Sequence, residues 1–412
     1  SWVYTLVMLM SNTGMGLYQR TQTWGEAGLL LRVLVSLSLG TLVMSLLFYV
    51  FPEIEMGRGV FVNALFSSLI GVTMLRLLFY SVVDQKVLKR RVVVFGAGRN
   101  AQKIIELERA NSTQNVRVVG CIALADQPTC VPGEKLLHLK VPLNEFALQE
   151  DIDEIVIAPD DRRRGLPVDE LLDCRMNGFE VVDLLTFFER EAGFIRVDAL
   201  YPSWMVFSDG FRVGFVRLAA KRIFDIVASL VLLSITWPIM LLTMVAIKLE
   251  SRFSGPVLYC QKRVGMSWRL FDVIKFRSMC LDAEAGGKPR MASRDDERVT
   301  WIGKFIRKFR IDELPQLFNV LKGEMSFVGP RPERPEFVEQ FAESIPYYSE
   351  RHRVKPGITG WAQLCYPYGE NENDALQKLQ YDLYYVKNYS LFFDLIIILQ
   401  TIEVVLWGKG AR

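Results

Sequence analysis

The sequence predicts a mixed membrane protein: apolar helices first, then a small α/β domain, then a bent membrane helix leading into a mainly helical polar domain. Three observations predict it. Two apolar runs of membrane-spanning length come early in the 412 residues. Short β-branched strands then alternate with helical stretches around a glycine turn. A third apolar run, carrying Trp237-Pro238 in its middle, precedes a segment rich in basic residues and glycine–proline turns. The length accommodates two or three domains. Half of the residues are hydrophobic, and that excess lies in blocks, as membrane segments do. With 49 basic against 46 acidic residues the net charge is only +3, so global charge singles out no partner and no nucleic acid is expected.

The first apolar run covers about 27–51, with Arg32 near its start, and the second 60–83, with Arg76 inside it. Each exceeds the roughly 20 residues a helix needs to cross the hydrocarbon core. Arg76 is close enough to the end to snorkel. Lys86, Lys89, Arg90 and Arg91 follow, and the positive-inside tendency puts that end on the cytoplasmic side. Residues 1–84 are therefore read as transmembrane helices. The opening SWVYTLVMLM lacks a basic n-region and a cleavage site, so it reads as the end of a membrane helix rather than a signal peptide. Six cysteines without a CxxC pair, and two histidines, argue for reduced thiols and against a zinc site.

Residues 89–201 read as an α/β domain with a parallel sheet. Gly96, Gly98 and Ala101 match the GxGxxA form of a dinucleotide-binding turn, whose helix-start amides can hold a phosphate. Asp126 ends the next strand, where a ribose-binding acid would sit. The same turn also serves packing alone, and both readings stay open. The third apolar run, read as a membrane element over 219–248, has Lys221 and Arg222 before it and Lys248 and Arg252 after it. Two basic ends and a proline fit either an ordinary span or a helix–break–helix hairpin re-entering through one face, with Pro238 at the break.

Residues 249–412 carry the chemistry. VLYCQKRVG and WRLFDVIKFRSM are two candidate strands bearing Arg263 among several cations. Ile302, Phe305, Ile306 and Phe309, at three- and four-residue spacing, predict an amphipathic helix with Lys304, Arg307 and Lys308 opposite. Such a basic face suits an anionic membrane surface, a pyrophosphate or plain solvent. Asp312-Glu313 then precede Pro315, at the expected start of a helix toward Leu321. An ionised aspartate there could attack phosphorus, or simply cap the helix. FVGPRPERP presents Arg331 on a rigid turn, and RVKPGITGWAQL presents Lys355 and Gln363. Arginine suits bidentate phosphate contacts, though rigid turns also serve as mere connections. The terminal run, broken by Asp394 and Glu403, reads as an interfacial or packed helix.

KRIFDIVAS, QKRVG, KFRSM, DELPQLFNVLKGEMSFVGPRP and KPGITGWAQ, in this order and spacing, resemble the bacterial sugar transferases, the polyprenyl-phosphate hexose-1-phosphate transferases. The apolar helices and the α/β domain extend the likeness to the family's large members, and GFEVVDLLTFFERE and YPSWMVFSDGF to its exopolysaccharide and exosortase branch. Those members have four N-terminal membrane helices, so the expectation is a chain lacking its beginning. The resemblance implies a Rossmann-like domain, a re-entrant helix at Pro238 and a monotopic catalytic domain, at the cytoplasmic face of the bacterial inner membrane. It implies that Asp312 attacks the β-phosphate of a UDP-sugar, releasing UMP, and that undecaprenyl phosphate then takes the phosphosugar. Glu313 would assist with Mg²⁺, which Asp312 and Glu313 would hold; Arg263, Arg307, Arg331 and Lys355 would handle phosphate. Asp382 and Gln363 match further family positions, and a homodimer is implied by the large members. Trp237 stands where the family usually has serine. The other readings are an oxidoreductase or epimerase built on the turn at Gly96, which lacks a catalytic tyrosine–lysine set, and a nucleotide-sensing membrane scaffold of a polysaccharide assembly complex.

Overall fold

The computed structural model describes residues 2–407 except 16, 18–25, 55, 83–88, 110–115, 125–126, 140, 162–165, 212–213, 281–297 and 367–370. Two compact units divide the chain, Ser1–Ala199 and Leu200–Arg412.

The first unit opens with α1 (Trp2–Gly14), α2 (Glu26–Val50) and α3 (Arg58–Val82). By length and composition α2 and α3 are apolar enough to cross a membrane. Leu42, Leu46, Val60 and Phe66 are exposed, as lipid-facing side chains are. Polar side chains turn inward instead. Ser36 donates to Asn12 at 2.6 Å and Arg32 to the Met15 carbonyl at 3.1 Å, tying α2 to the end of α1.

The α/β part is a five-stranded parallel sheet. Its strands are β1 (Arg90–Phe95), β2 (Val116–Ile122), β3 (Leu136–Leu137), β4 (Glu154–Ile157) and β5 (Glu180–Asp183), in the order β3-β2-β1-β4-β5. That order is the doubly wound arrangement the glycine turn predicted. Because strand residues alternate faces, Val92 and Val94 pack under α4 (Arg99–Arg109), whereas Val93 and Phe95 pack on the face covered by α5 (Leu143–Gln149) and α6 (Val168–Met176). Phe187 and Phe188 of α7 (Leu184–Ala192) complete the first of these layers.

In the second unit, α8 (Pro202–Phe207) leads to α9 (Phe215–Glu250), which is long and apolar enough to cross a membrane. Helical structure runs from Phe215 to Glu250 with Pro238 inside it, which neither breaks the element nor excludes a bend within it. An interior proline removes one backbone bond and crowds the preceding turn, a usual cause of a kink. At the start of α9, the Lys221 ammonium donates to Asp394, Tyr385 and the Val328 carbonyl, and Arg222 donates to the carbonyls of Val320 and Leu321. At its other end the Glu250 carboxylate accepts from the Ile302 amide at 3.0 Å.

The expected strand pair is present as the antiparallel β6 (Leu258–Val264) and β7 (Leu270–Phe276). There follow α10 (Trp301–Lys308), a 3₁₀ turn at Ile311–Glu313, α11 (Gln316–Lys322), β8 (Ser326–Val328) and α12 (Pro335–Ser344). A second 3₁₀ turn (Tyr348–Arg353) leads to β9 (Gly357–Thr359), parallel to β8, and then to α13 (Trp361–Cys365), α14 (Glu372–Asn388) and α15 (Leu391–Trp407). The apolar spacing of α10 forms one stripe, as expected, but only part of it is covered. Ile306 is buried beside Ile302, whereas Trp301, Phe305 and Phe309 are exposed. Residues 301, 305 and 309 make the row beside 302 and 306 on the same apolar side, and only the second row meets the core. The terminal run is the packed helix expected, with Asp394 buried against Lys221.

Candidate active site

Helix α10 is capped at its start by the Thr300 hydroxyl, which accepts from the Gly303 amide. Two residues past its end stands Arg310, whose left-handed backbone (φ 57°) is costly for a residue with a Cβ. That turn reverses the chain and points Asp312 and Glu313 inward, leaving each only 8% exposed. Asn319 of α11 locks the support. Its amide donates to the Asp272 carbonyl and to Glu324 at 2.7 Å each, and its oxygen accepts from the Ile274 amide. This fastens β7 to α11 and sets Lys275 against the acid pair.

The two carboxylates have opposite surroundings. One Glu313 oxygen meets Lys275 at 3.1 Å and Arg331 at 3.5 Å, and the other meets Arg310 at 3.8 Å. Burial works to raise its pKa, but Lys275, Arg331 and Arg310 outweigh it and hold Glu313 well below the usual carboxylate range. Asp312 forms no ion pair among the described residues. Burial, and then the negative charge of Glu313, push it up to about 6 against the pull of Lys275, Arg307 and Arg310. One member of the pair is a fixed anion, and the other is a carboxylate open to the cavity.

That cavity has a volume of about 520 Å³. Its walls include Asp312 and Glu333 and nine basic residues: Arg263, Lys275, Arg277, Arg298, Arg307, Arg331, Arg334, Arg351 and Lys378. So large a cationic excess in a half-buried pocket fits a polyanionic ligand. Arg263, Arg307 and Arg331 are thus brought together with Asp312. Burial lowers Arg263 to about 10, Glu333 being its partner at 3.4 Å.

Other expected residues lie elsewhere. Lys355 is not in the cavity wall; it sits near Gly323, past the end of α11, with Arg222 beside it. Gln363, on α13, is also outside the wall, and its buried carbonyl oxygen has no hydrogen-bond partner. Asp382 is buried behind the cavity. It holds Arg351 at 2.8 Å, and Arg351 in turn donates to the Tyr348 hydroxyl and to the Arg331 carbonyl. Pro238 lies within α9. In the first unit, Gly96 has φ +131°, and a Cβ there would stand 2.5 Å from the Ala158 carbonyl oxygen. Gly98 faces the Asp160 carboxylate, which accepts from the amides of Arg99 and Asn100 at 2.9 Å each. The helix-start amides expected to hold a phosphate are therefore occupied by the protein's own anion. Ala101 is fully buried, and Asp126 lies outside the described residues.

Sequence reasoning had assigned no role to Lys275, Glu333, Arg351 or Lys378. Lys275 and Arg351 lie within the quoted KFRSM motif and just before KPGITG, but nothing local marks them as cavity residues.

A buried acid pair beside an arginine-rich cavity is an arrangement suited to phosphoryl transfer. Residues 216–408 match the bacterial sugar transferase family, and the chain belongs to it. Residues 14–159 match a CoA-binding domain family. Over 242 residues the chain is 43% identical to a UDP-N-acetylgalactosamine-undecaprenyl-phosphate N-acetylgalactosaminephosphotransferase of Aeromonas hydrophila, covering 59% of this chain and 56% of that protein. It is 47% identical over 196 residues to an undecaprenyl-phosphate glucose phosphotransferase of Komagataeibacter xylinus, covering 46% of this chain and 36% of the relative. A UDP-glucose:undecaprenyl-phosphate glucose-1-phosphate transferase of Caulobacter vibrioides is 41% identical over 193 residues, covering 46% of this chain and 71% of the relative. The chain thus spans little more than half of the first of these relatives and about a third of the second.

Proposed function

We propose that this protein transfers a sugar-1-phosphate from a UDP-sugar to a polyprenyl phosphate such as undecaprenyl phosphate, at the cytoplasmic face of a membrane. The observation that carries the reading is Asp312, a carboxylate in the wall of an arginine-rich cavity that makes no ion pair among the described residues, beside a carboxylate already neutralised by cations. An Asp312 oxygen attacks the β-phosphorus. The bond from that phosphorus to the bridging oxygen breaks, and UMP leaves with the bonding pair. A phosphate oxygen of the lipid then attacks the aspartyl phosphosugar, and Asp312 departs as a carboxylate. Arg307 and Arg331 neutralise charge on the transferring phosphoryl group.

The residues fit a Mg²⁺ ion, which prefers one or two carboxylates together with substrate phosphates. Asp312 and the Glu313 oxygen that faces only Arg310 are the oxygens free to hold it. When bound, the ion would offset charge on the pyrophosphate.

The site must meet a soluble donor and a lipid headgroup together, and a re-entrant α9 bent near Pro238 would hold it at one face. Along a straight helix Arg222 and Ile247 would stand about 37 Å apart. Arg222 nevertheless bonds Val320 and Leu321, while Ile247 shares an apolar cluster with Ile311 and Leu314 of the same short segment. Cysteine labelling at both flanks of α9 tests this: both react from the cytoplasmic side, and labelling of the Lys248 flank from the opposite side alone would refute the hairpin. The reaction itself is tested by UMP release from a panel of UDP-sugars, with Asp312→Asn. The variant should lose about 10⁴-fold or more of the rate, and an unchanged rate would remove Asp312 from the mechanism. The panel also identifies the sugar, which differs between the Aeromonas and Komagataeibacter relatives.

A further inference from the structure

The cavity wall also holds residues that are not needed to activate Asp312. A chain of contacts leads from the acid pair to one of them. Glu313 holds Arg331, and the Arg331 carbonyl accepts from Arg351 at 3.0 Å. Arg351 meets the Tyr348 hydroxyl at 2.7 Å, and the Tyr348 ring lies 5.5 Å from that of Phe341. Phe341 is in turn stacked on Phe337 at 6.4 Å, with the planes only 23° apart. Phe337 is the half-exposed member of that stack and lines the cavity. Lys378 of α14 lines it too and, among the described residues, makes no ion pair or hydrogen bond. Burial, with the charges of Arg331 and Arg351, lowers its pKa against the opposing pull of Glu333 and Asp382. Glu333, the cavity's second carboxylate, is held by Arg263.

An unengaged ammonium and a half-exposed aromatic ring in one cavity wall have an identifiable complement: a phosphate joined to a flat heterocycle. In-line displacement at phosphorus places the leaving group opposite the attacking oxygen. With Asp312 attacking, the nucleotide departs on the side away from it and needs wall residues of its own.

We propose that Phe337 and Lys378 form the subsite of the leaving nucleoside monophosphate in this cavity, with the base stacked on Phe337 and the departing phosphate held by Lys378. This rests on the transferase reading above. Stacking is tolerant of base identity, and a lysine acts as a point charge rather than a fork. The pair therefore binds any nucleoside phosphate and leaves sugar selection to other walls.

The test is equilibrium binding of UMP to the detergent-solubilised full chain, together with the KM for UDP-sugar. Lys378→Met and Phe337→Ala should each weaken UMP by about tenfold and raise KM to a similar extent. Lys378→Arg and Phe337→Trp should stay within about threefold. If Lys378→Met does not fold, Lys378→Gln keeps a polar, uncharged side chain and decides the same question. Unchanged UMP binding in both truncating variants overturns the proposal. So does a raised KM with unchanged UMP affinity, which would assign these two residues to the sugar. A wild-type protein that releases no UMP from any UDP-sugar would instead sink the transferase reading, whereas normal turnover with UMP binding insensitive to both changes would sink the subsite alone.

Discussion

Replacing Glu313 by glutamine should move the acidic limb of the activity profile toward lower pH. Asp312 must be ionised to attack, and its pKa is raised first by burial and second by the negative charge of Glu313. Its pKa stands at about 6. The repulsion between two neighbouring buried carboxylates is on the order of 1.4 kcal/mol, or about one pKa unit. Glutamine removes that repulsion, and it frees Lys275 and Arg331 from their partner, which pulls Asp312 the same way. The sign is therefore fixed, and a drop of about one unit is a lower figure. The assay is kcat/KM for UMP release between pH 4.5 and 8 at constant Mg²⁺, because that ratio reports groups of the free enzyme. In the wild type it should fall as pH drops through about 6. A limb that stays in place or moves upward in Glu313→Gln would refute the assignment of the raised carboxyl to Asp312.

Two stability predictions follow from the same packing. Arg351→Met strands Asp382, which is 1% exposed, and also removes the partner of the Tyr348 hydroxyl; unpairing a buried charge costs about 3–5 kcal/mol, visible as a lowered Tm of the purified protein. Gly96→Ala drives a Cβ toward the Ala158 carbonyl at a positive φ, so the α/β unit should lose more than about 2 kcal/mol and become more sensitive to proteolysis; Gly98→Ala should cost less, because its obstacle is the Asp160 side chain.

How much of this was legible depended on the range of each interaction. The strand around Val92–Val94 and the hairpin over 258–276 were readable because β-branched runs and alternation are local signals. Asp312 and Arg331 stood out because an acid pair before a proline and an arginine on a glycine–proline turn have short-range signatures. Helix α10 is the amphipathic helix its three- and four-residue spacing predicts, but which row of its apolar stripe is covered depends on distant packing that no local pattern shows. Lys275 was opaque because its partner Glu313 is 38 residues away and the bond exists only once Asn319 fastens β7 to α11. Arg351 and Asp382 are likewise 31 positions apart and meet only when the second 3₁₀ turn packs on α14. At the glycine turn the fingerprint was legible but its occupant was not, since Asp160 arrives from beyond β4.

The covalent step can be measured directly. Purified protein is mixed with a UDP-sugar without lipid acceptor, quenched, digested and weighed by mass spectrometry. The account predicts one added sugar-phosphate on the peptide carrying Asp312, formed in step with UMP and discharged by adding polyprenyl phosphate. UMP release without that adduct, or with the adduct on another residue, would contradict it.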